Sequence, residues 1–240
     1  MPVYPGRSSI SVIVASLNAA PTIDATLDSI IAAFKSDNNH ELELILVDGG
    51  SQDGTVRRVA ARRNEIANLN IVHQTSRGIG AARNQGIAAA TSSLIGFCDA
   101  DDVWTHDALT LKYESLDKTP SAWAVTGQVS FRTVQGDNSA AHARRCAGSE
   151  HLGYTPGALL IRHEIFSLVG PFDNSLRIGA DSDWMMRAVQ MLGPPLIIPQ
   201  TVLEKGLRPG SLSTDVVTYR QEMMLIARRF IERTRHKVDP

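Results

Sequence analysis

The chain has 240 residues, of which 43% are hydrophobic and 20% charged, and its formal net charge is −1. That length suits one sizeable α/β domain with a well-buried core. The near-neutral balance excludes the basic field by which proteins hold nucleic acid, and no run approaches the ~18–20 consecutive apolar residues of a bilayer-spanning helix.

Met1 to Ser9 has no apolar core ahead of a cleavage site, so it does not read as a secretion signal and the expected location is cytoplasmic. The two cysteines, Cys98 and Cys146, make no zinc pattern; Cys98 sits in an apolar run, which predicts a buried reduced thiol.

Ile10 to Ala15 is a β-branched apolar run and predicts a buried strand. Pro21 to Lys35 places Ile23, Leu27, Ile30, Ile31 and Phe34 at helical spacing. Then come a strand over Leu42 to Val47, a helix over Thr55 to Ala67, a strand over Leu69 to His73, an alanine-rich helix over Ile79 to Ala90 and a strand over Leu94 to Cys98. Such alternation with short connections predicts a parallel sheet covered by helices, with ligands beyond the carboxyl ends of its strands. After Asp102 the rhythm changes. His106 to Lys118 predicts a helix, Ala122 to Arg132 a strand, Gln135 to His151 a loop carrying Arg144 and Arg145, and Gly157 to Ile161 a short strand. Ser182 to Leu192 predicts a helix stopped by Gly193-Pro194-Pro195. Leu196 to Ile198 and Thr201 to Lys205 predict two short strands, and Thr214 to Arg235 a long terminal helix.

Three stretches carry chemistry. Phe97-Cys98-Asp99-Ala100-Asp101-Asp102 crowds three carboxylates at the end of a buried strand. Like charges so close repel unless neutralised, and Mg²⁺ or Mn²⁺, which favour oxygen ligands and substrate phosphate, would do so; a solvated acidic turn with Asp102 at a helix start is the plainer reading. In Val47-Asp48-Gly49-Gly50-Ser51-Gln52-Asp53-Gly54-Thr55 a carboxylate ends a strand and glycines turn the chain, so Asp48 can meet a base or ribose while Asp53 caps the next helix. Gly78-Ile79-Gly80-Ala81-Ala82-Arg83-Asn84-Gln85-Gly86 opens a helix with small residues, and Arg83 offers a permanently charged fork for phosphate or base.

With Ser11-Val12-Ile13-Val14-Ala15-Ser16-Leu17-Asn18, these stretches resemble, in order and spacing, the family 2 glycosyltransferases of the GT-A fold. The resemblance extends more loosely through Gly157 to Asp173 and then Gly179-Ala180-Asp181-Ser182-Asp183-Trp184-Met185-Met186-Arg187. It implies a single GT-A domain with a mostly parallel sheet: a nucleotide-sugar-binding half over about 9–105, an acceptor-binding half over about 106–213 and a C-terminal helix over 214–240. It also implies inverting transfer from a nucleotide-diphosphate sugar to an acceptor hydroxyl, in polysaccharide or glycoconjugate synthesis. The residues implied are Ser16, Asn18, Asp48, Arg83, Asp99, Ala100 and Arg208 for the donor, Asp101 with Asp99 for Mn²⁺ or Mg²⁺, and Asp181, or alternatively Asp183, as catalytic base.

Three positions depart from the family pattern: Gly49 replaces a second acid that often helps read a uracil ring, Ala180 replaces the Glu before the base, and Arg208 stands where a His is usual. The loss of a Glu beside Asp181 predicts a less basic carboxylate. The first two departures keep open a degenerate nucleotide-sugar-binding or scaffold protein. A sugar nucleotidyltransferase would need a glycine-rich basic loop after the first strand, where Ser16-Leu17-Asn18-Ala19-Ala20-Pro21 stands. The terminal helix is amphipathic and basic, with Val216, Val217, Met223, Met224, Ile226 and Ile231 among Arg220, Arg228, Arg229, Arg233 and Arg235. It predicts packing on the domain or a second copy, or peripheral contact with the inner face of a membrane.

Overall fold

The computed structural model describes residues 8–133, 151–152, 154–207 and 215–238. The first half alternates as the sequence predicts: β1 (Ser9–Ser16), α1 (Ile23–Asp37), β2 (Glu41–Asp48), α2 (Thr55–Ala60), β3 (Asn68–His73), α3 (Ile79–Ala89) and β4 (Leu94–Phe97). The four strands pair in parallel in the order β3-β2-β1-β4. Helices cover both faces. Val12 and Val14 join Ile23, Leu27 and Ile30 of α1 in one layer, while Ile13 joins Ala82 of α3 in the other. Strands buried on both faces need apolar residues at successive positions, which is why they read as continuous apolar runs. The strand order reverses at β1, so the carboxyl ends of β1 and β4 open the crevice where such sheets bind ligands.

The second half extends the same sheet with β5 (Val103–Trp104), β6 (Ala124–Thr133), β7 (His151–Leu152), β8 (Leu160–Arg162) and β9 (Leu196–Leu207). Its helices are α4 (Ala108–Asp117), α5 (Ile165–Val169), α6 (Ala180–Leu192) and α7 (Val216–Val238). β8 joins β4 to β6 antiparallel to both, β6 runs parallel to β9, and β5 closes the far edge antiparallel to β9.

Some elements differ from expectation. The helix predicted to reach Ala67 ends at Ala60 and tightens into a 3₁₀ turn over Ala61–Asn64. The two short strands predicted after Pro195 are one strand, β9, with Pro199 set where the β6–β9 register shifts between Thr126↔Ile197 and Gln128↔Thr201. A bulge is the place a paired strand tolerates proline. Gly127 faces that bulge, and a Cβ there would stand 2.6 Å from the carbonyl oxygen of Gln200. The predicted loop with Arg144 and Arg145, together with Cys146 and Arg208, lies outside the described residues. Cys98 is buried and free.

Candidate active site

The loops after β1 and β2 fasten to each other. Asp48 ends β2 and is 2% exposed. Its carboxylate accepts from Ser16 Oγ at 3.2 Å, Ser51 Oγ at 2.5 Å, Gly50 N at 3.0 Å and Ser51 N at 2.9 Å. Four donors fill the acceptor capacity of a carboxylate, so Asp48 braces the turn and offers little to a ligand. Asn18, at φ 49°, accepts from Gln52 N at 3.0 Å and donates its own N–H to Ser51 Oγ at 2.9 Å. Asp53 accepts from Thr55 N at 3.0 Å and from Ala20 N at 2.9 Å; the N-cap of α2 is Gly54, so Asp53 braces the turn from one residue before the cap and does not itself cap the helix.

The acidic strand end is built from three differently used aspartates. Asp99 follows β4 and accepts from Arg83 Nη2 at 3.0 Å, with Lys205 Nζ 3.6 Å away. Burial pushes its carboxyl up, but Arg83 and Lys205 outweigh that and hold it below its ordinary value. The Ala100 carbonyl takes Thr22 Oγ1 at 2.7 Å. The Asp101 carbonyl takes Arg132 Nη2 at 2.9 Å. Asp102 is 1% exposed and serves β9 rather than a helix start: it accepts from Gly206 N at 2.9 Å and Lys205 Nζ at 3.1 Å. Burial raises its carboxyl to about 6 against the pull of Lys205, while Lys205, flanked by Asp102 and Asp99, is held above its ordinary value despite its own burial.

Arg83, 2% exposed, reaches across from α3 to Asp181 in the first turn of α6 as well as to Asp99. The ring of Phe172 lies under the guanidinium, 5.7 Å from its centre. Burial raises the Asp181 carboxyl, Arg83 pulls it down and the Asp99 charge adds to the rise, so the net shift is upward. The weaker basicity expected from Ala180 is thus reversed by desolvation. Ala180 itself packs with Leu176 and Ile226, an apolar niche that would strand a Glu. Asp183 points elsewhere, bonded to Arg187 Nε at 2.8 Å, and that arginine also bonds the Val169 and Pro171 carbonyls. Of the two candidate bases, Asp181 is the one joined to the acidic strand end.

Two functional neighbours escaped the sequence reading. Lys205 lies near the end of a strand split wrongly in two, so its approach to Asp99 and Asp102 was hidden. Glu222, in α7, accepts from the N–H groups of Arg177 at 2.7 Å, Ile178 at 2.9 Å and Gly179 at 2.7 Å, the segment leading into Asp181. A lone Glu in an amphipathic helix carries no sequence signal for that task.

Among the described residues no group of three or more His, Cys, Asp or Glu is placed to hold a metal ion by itself. Mg²⁺-type sites use one or two carboxylates and take their remaining ligands from water and substrate phosphate. Asp101 and Asp99, hard oxygen donors two residues apart at one strand end, fit that pattern, with Asp99 already engaged by Arg83 and Lys205. Among the described residues no helix is long and apolar enough to cross a membrane.

Residues 11–172 match the family model described as Glycosyl transferase family 2. The chain is 29% identical over 180 residues to the PGL/p-HBAD biosynthesis glycosyltransferase of Mycobacterium tuberculosis (strain ATCC 25177 / H37Ra), covering 74% of this chain and 68% of that one. It is 38% identical over 95 residues to EpsJ of Bacillus subtilis (strain 168), described as an uncharacterized glycosyltransferase, covering 39% of this chain and 26% of that one. Among solved structures it is similar to the mannosyltransferase PcManGT from Pyrobaculum calidifontis in complex with GDP-Man and Mn²⁺, with a TM-score of 0.70, 22% identity, and coverage of 95% of this chain and 65% of that one. It is also similar to S. aureus TarS 1–349 in complex with UDP-GlcNAc, with a TM-score of 0.69, 19% identity, and coverage of 86% and 61%. At these identities the likeness to both structures is one of fold.

Proposed function

Because this chain belongs to glycosyltransferase family 2, we propose that it moves a sugar from a nucleotide-diphosphate donor to an acceptor hydroxyl by one displacement with inversion at the anomeric carbon. The observation that carries this reading is the single guanidinium of Arg83 bonded to both Asp99 and Asp181. It ties the end of the sheet, where a diphosphate would sit, to a carboxylate suited to accept a proton.

In the proposed reaction the acceptor oxygen forms a bond to the anomeric carbon as the bond from that carbon to the diphosphate oxygen breaks. The acceptor's proton passes to Asp181, whose raised affinity for protons suits a general base. Asp101, with Asp99, would hold a divalent cation, which supplies Lewis-acid neutralisation of the departing diphosphate. Arg83 keeps Asp99 ionised and Asp181 oriented. The Ser16, Asn18 and Asp48 latch gives the donor a rigid floor, and the Ala100 carbonyl, held by Thr22, fixes the chain between the two acids. Arg208 would add a cation to the diphosphate. The mannosyltransferase bound to GDP-Man and Mn²⁺ and the TarS complex with UDP-GlcNAc support a nucleotide-sugar donor and a divalent ion. The test is release of nucleoside diphosphate from UDP-, GDP- and dTDP-sugars with and without Mn²⁺ or Mg²⁺. Metal-stimulated release that disappears in Asp101→Ala supports the reading; no release and no donor-induced thermal shift with any of them overturns it.

The reading includes peripheral contact with an anionic membrane. One face of α7 packs Ile226 and Met223 onto the domain, while Val217, Met224 and Ile231 are 68%, 57% and 50% exposed at seven-residue intervals. Arg220, Arg228 and Arg235 are exposed beside them. In a two-fold pairing of this stripe the arginines would confront their own copies, whereas anionic lipid complements them. Salt-sensitive cosedimentation with phosphatidylglycerol vesicles, lost in Met224→Glu, is expected; a dimer in solution broken by that variant would assign the stripe to a second copy instead.

A further inference from the structure

The base-reading end of the donor cleft holds a residue with an acceptor on display, and the inference from it rests on the nucleotide-sugar reading above. On that reading, with sugar and diphosphate at Asp181, Asp99 and Asp101, the nucleoside would lie over β1, β2 and β3, which follow one another beyond β4 in the sheet. The carboxyl ends of β1, β2 and β3 all open in that direction. There Asp48 is spent on its own turn, and Gly49 contributes no side chain.

Gln74, directly after β3, fills the gap. Its backbone N–H is fixed to the Asp48 carbonyl at 2.8 Å. Its side-chain Nε2 donates to the carbonyl oxygens of Ser76 and of Gly78, the latter at 2.7 Å. Because both partners are pure acceptors, the amide has one orientation, and Oε1 must be the atom turned away from them. That oxygen lies 3.1 Å from where a Cβ on Gly49 would stand. No donor among the described residues meets it.

We propose that Gln74 determines which nucleotide the protein accepts. Its Oε1 accepts a hydrogen bond from the ring N–H of uracil, thymine or guanine, in the space freed by glycine at position 49. Cytosine and adenine present a ring lone pair at the corresponding edge, and two acceptors facing each other leave both unpaired, which is how a polar site rejects a near-isostere.

The test is titration calorimetry of UDP, GDP and CDP, with Mn²⁺, on wild type, Gln74→Ala and Gly49→Ala. The better of UDP and GDP is expected to bind about tenfold tighter than CDP in wild type, the worth of one well-placed hydrogen bond. That ratio should fall to about twofold or less in Gln74→Ala. Gly49→Ala crowds the same oxygen without altering the Gln74 anchor, and is expected to lower the ratio too. A ratio that stays at its wild-type value in both variants, or a wild type that prefers CDP, overturns the assignment to Gln74. A wild type that binds no nucleoside diphosphate overturns the donor reading itself.

Discussion

Asp99 and Asp181, in opposite halves of the chain, are held by one guanidinium, with Arg83 Nη2 3.0 Å from Asp99 and Nη1 bonded to Asp181. Removing Arg83 leaves two neighbouring carboxylates without a shared counter-charge. Arg83→Met is expected to cost about 3 kcal/mol, the usual penalty for breaking a buried ion pair on one side, and to cut donor turnover by about 100-fold or more. Arg83→Lys keeps the charge but spans only one acid, so it should recover part of the stability and little of the rate. Denaturant unfolding and nucleoside diphosphate release measure the two effects. A Met variant as stable as wild type would contradict the bridge.

The upward shift of Asp181 sets a pH limit on the reaction. A base works only when ionised, so the rate should fall as pH drops through a pKa above the ordinary carboxylate range. Asp181→Asn should lose about 10³-fold in turnover while binding donor within about twofold of wild type. Asp183→Asn, whose partner is Arg187, should weaken the fold and leave the acid limb where it was. An acid limb unchanged in an active Asp181→Asn protein would pass the base role elsewhere.

The parallel half of the fold was legible because its signals are local: strands buried on both faces are apolar throughout, and each ends in a polar or glycine turn. The acids at the strand end and Arg83 were legible for the same reason, each sitting next to a strand or helix boundary. What could not be read were pairings between distant segments. Asp102 and Lys205 are joined only once β9 is continuous past Pro199. Nothing local distinguishes Asp181 from Asp183, because their difference comes from which side of α6 faces Arg83. Glu222 and Gln74 are bonded to backbone groups, and such pairings have no sequence signature at all.

Glu222 makes α7 part of the site. Its carboxylate receives three successive N–H groups just before Asp181, and a Cβ on Gly179 would stand 2.8 Å from Ile226 Cδ1, so helix and segment fit closely. Glu222→Gln replaces one acceptor oxygen by a donor and should loosen the approach to α6. Turnover is expected to fall about tenfold with donor affinity unchanged, since the loss is in orientation rather than binding. A change in donor affinity matching the change in rate would argue for general unfolding of the region.

Asp102, buried, and Lys205, whose side chain is 29% exposed, form a pair whose members should be costly to remove singly. Lys205→Met leaves a carboxylate that is 1% exposed without its cation, and Asp102→Asn leaves the ammonium with the more distant Asp99. Each single change is expected to destabilise by about 2–4 kcal/mol, and the double variant by less than their sum. A double-mutant cycle with no coupling energy would remove the pair as the link between the strand end and β9.

Lys112 offers a stability prediction independent of the active site. It lies in α4, fully buried, with its ammonium 3.8 Å from the centre of the Trp104 ring and no hydrogen-bond partner for Nζ among the described residues. Burial lowers its pKa to about 7, partly offset by the Cys98 sulfur. In an unfolded chain a lysine titrates near ~10.4. Between those two values the unfolded chain holds a proton that the folded chain lacks, so this residue makes stability rise with pH across that window. Below about pH 7 the full penalty is present, and above ~10.4 it is gone. Lys112→Met keeps a flexible stem of similar shape and removes the charge. It should stabilise the protein at pH 7 by about 2–4 kcal/mol, with the gain shrinking steadily toward pH 10. A gain that stayed constant from pH 7 to 10 would trace the effect to packing around Trp104 instead of to the lysine's proton.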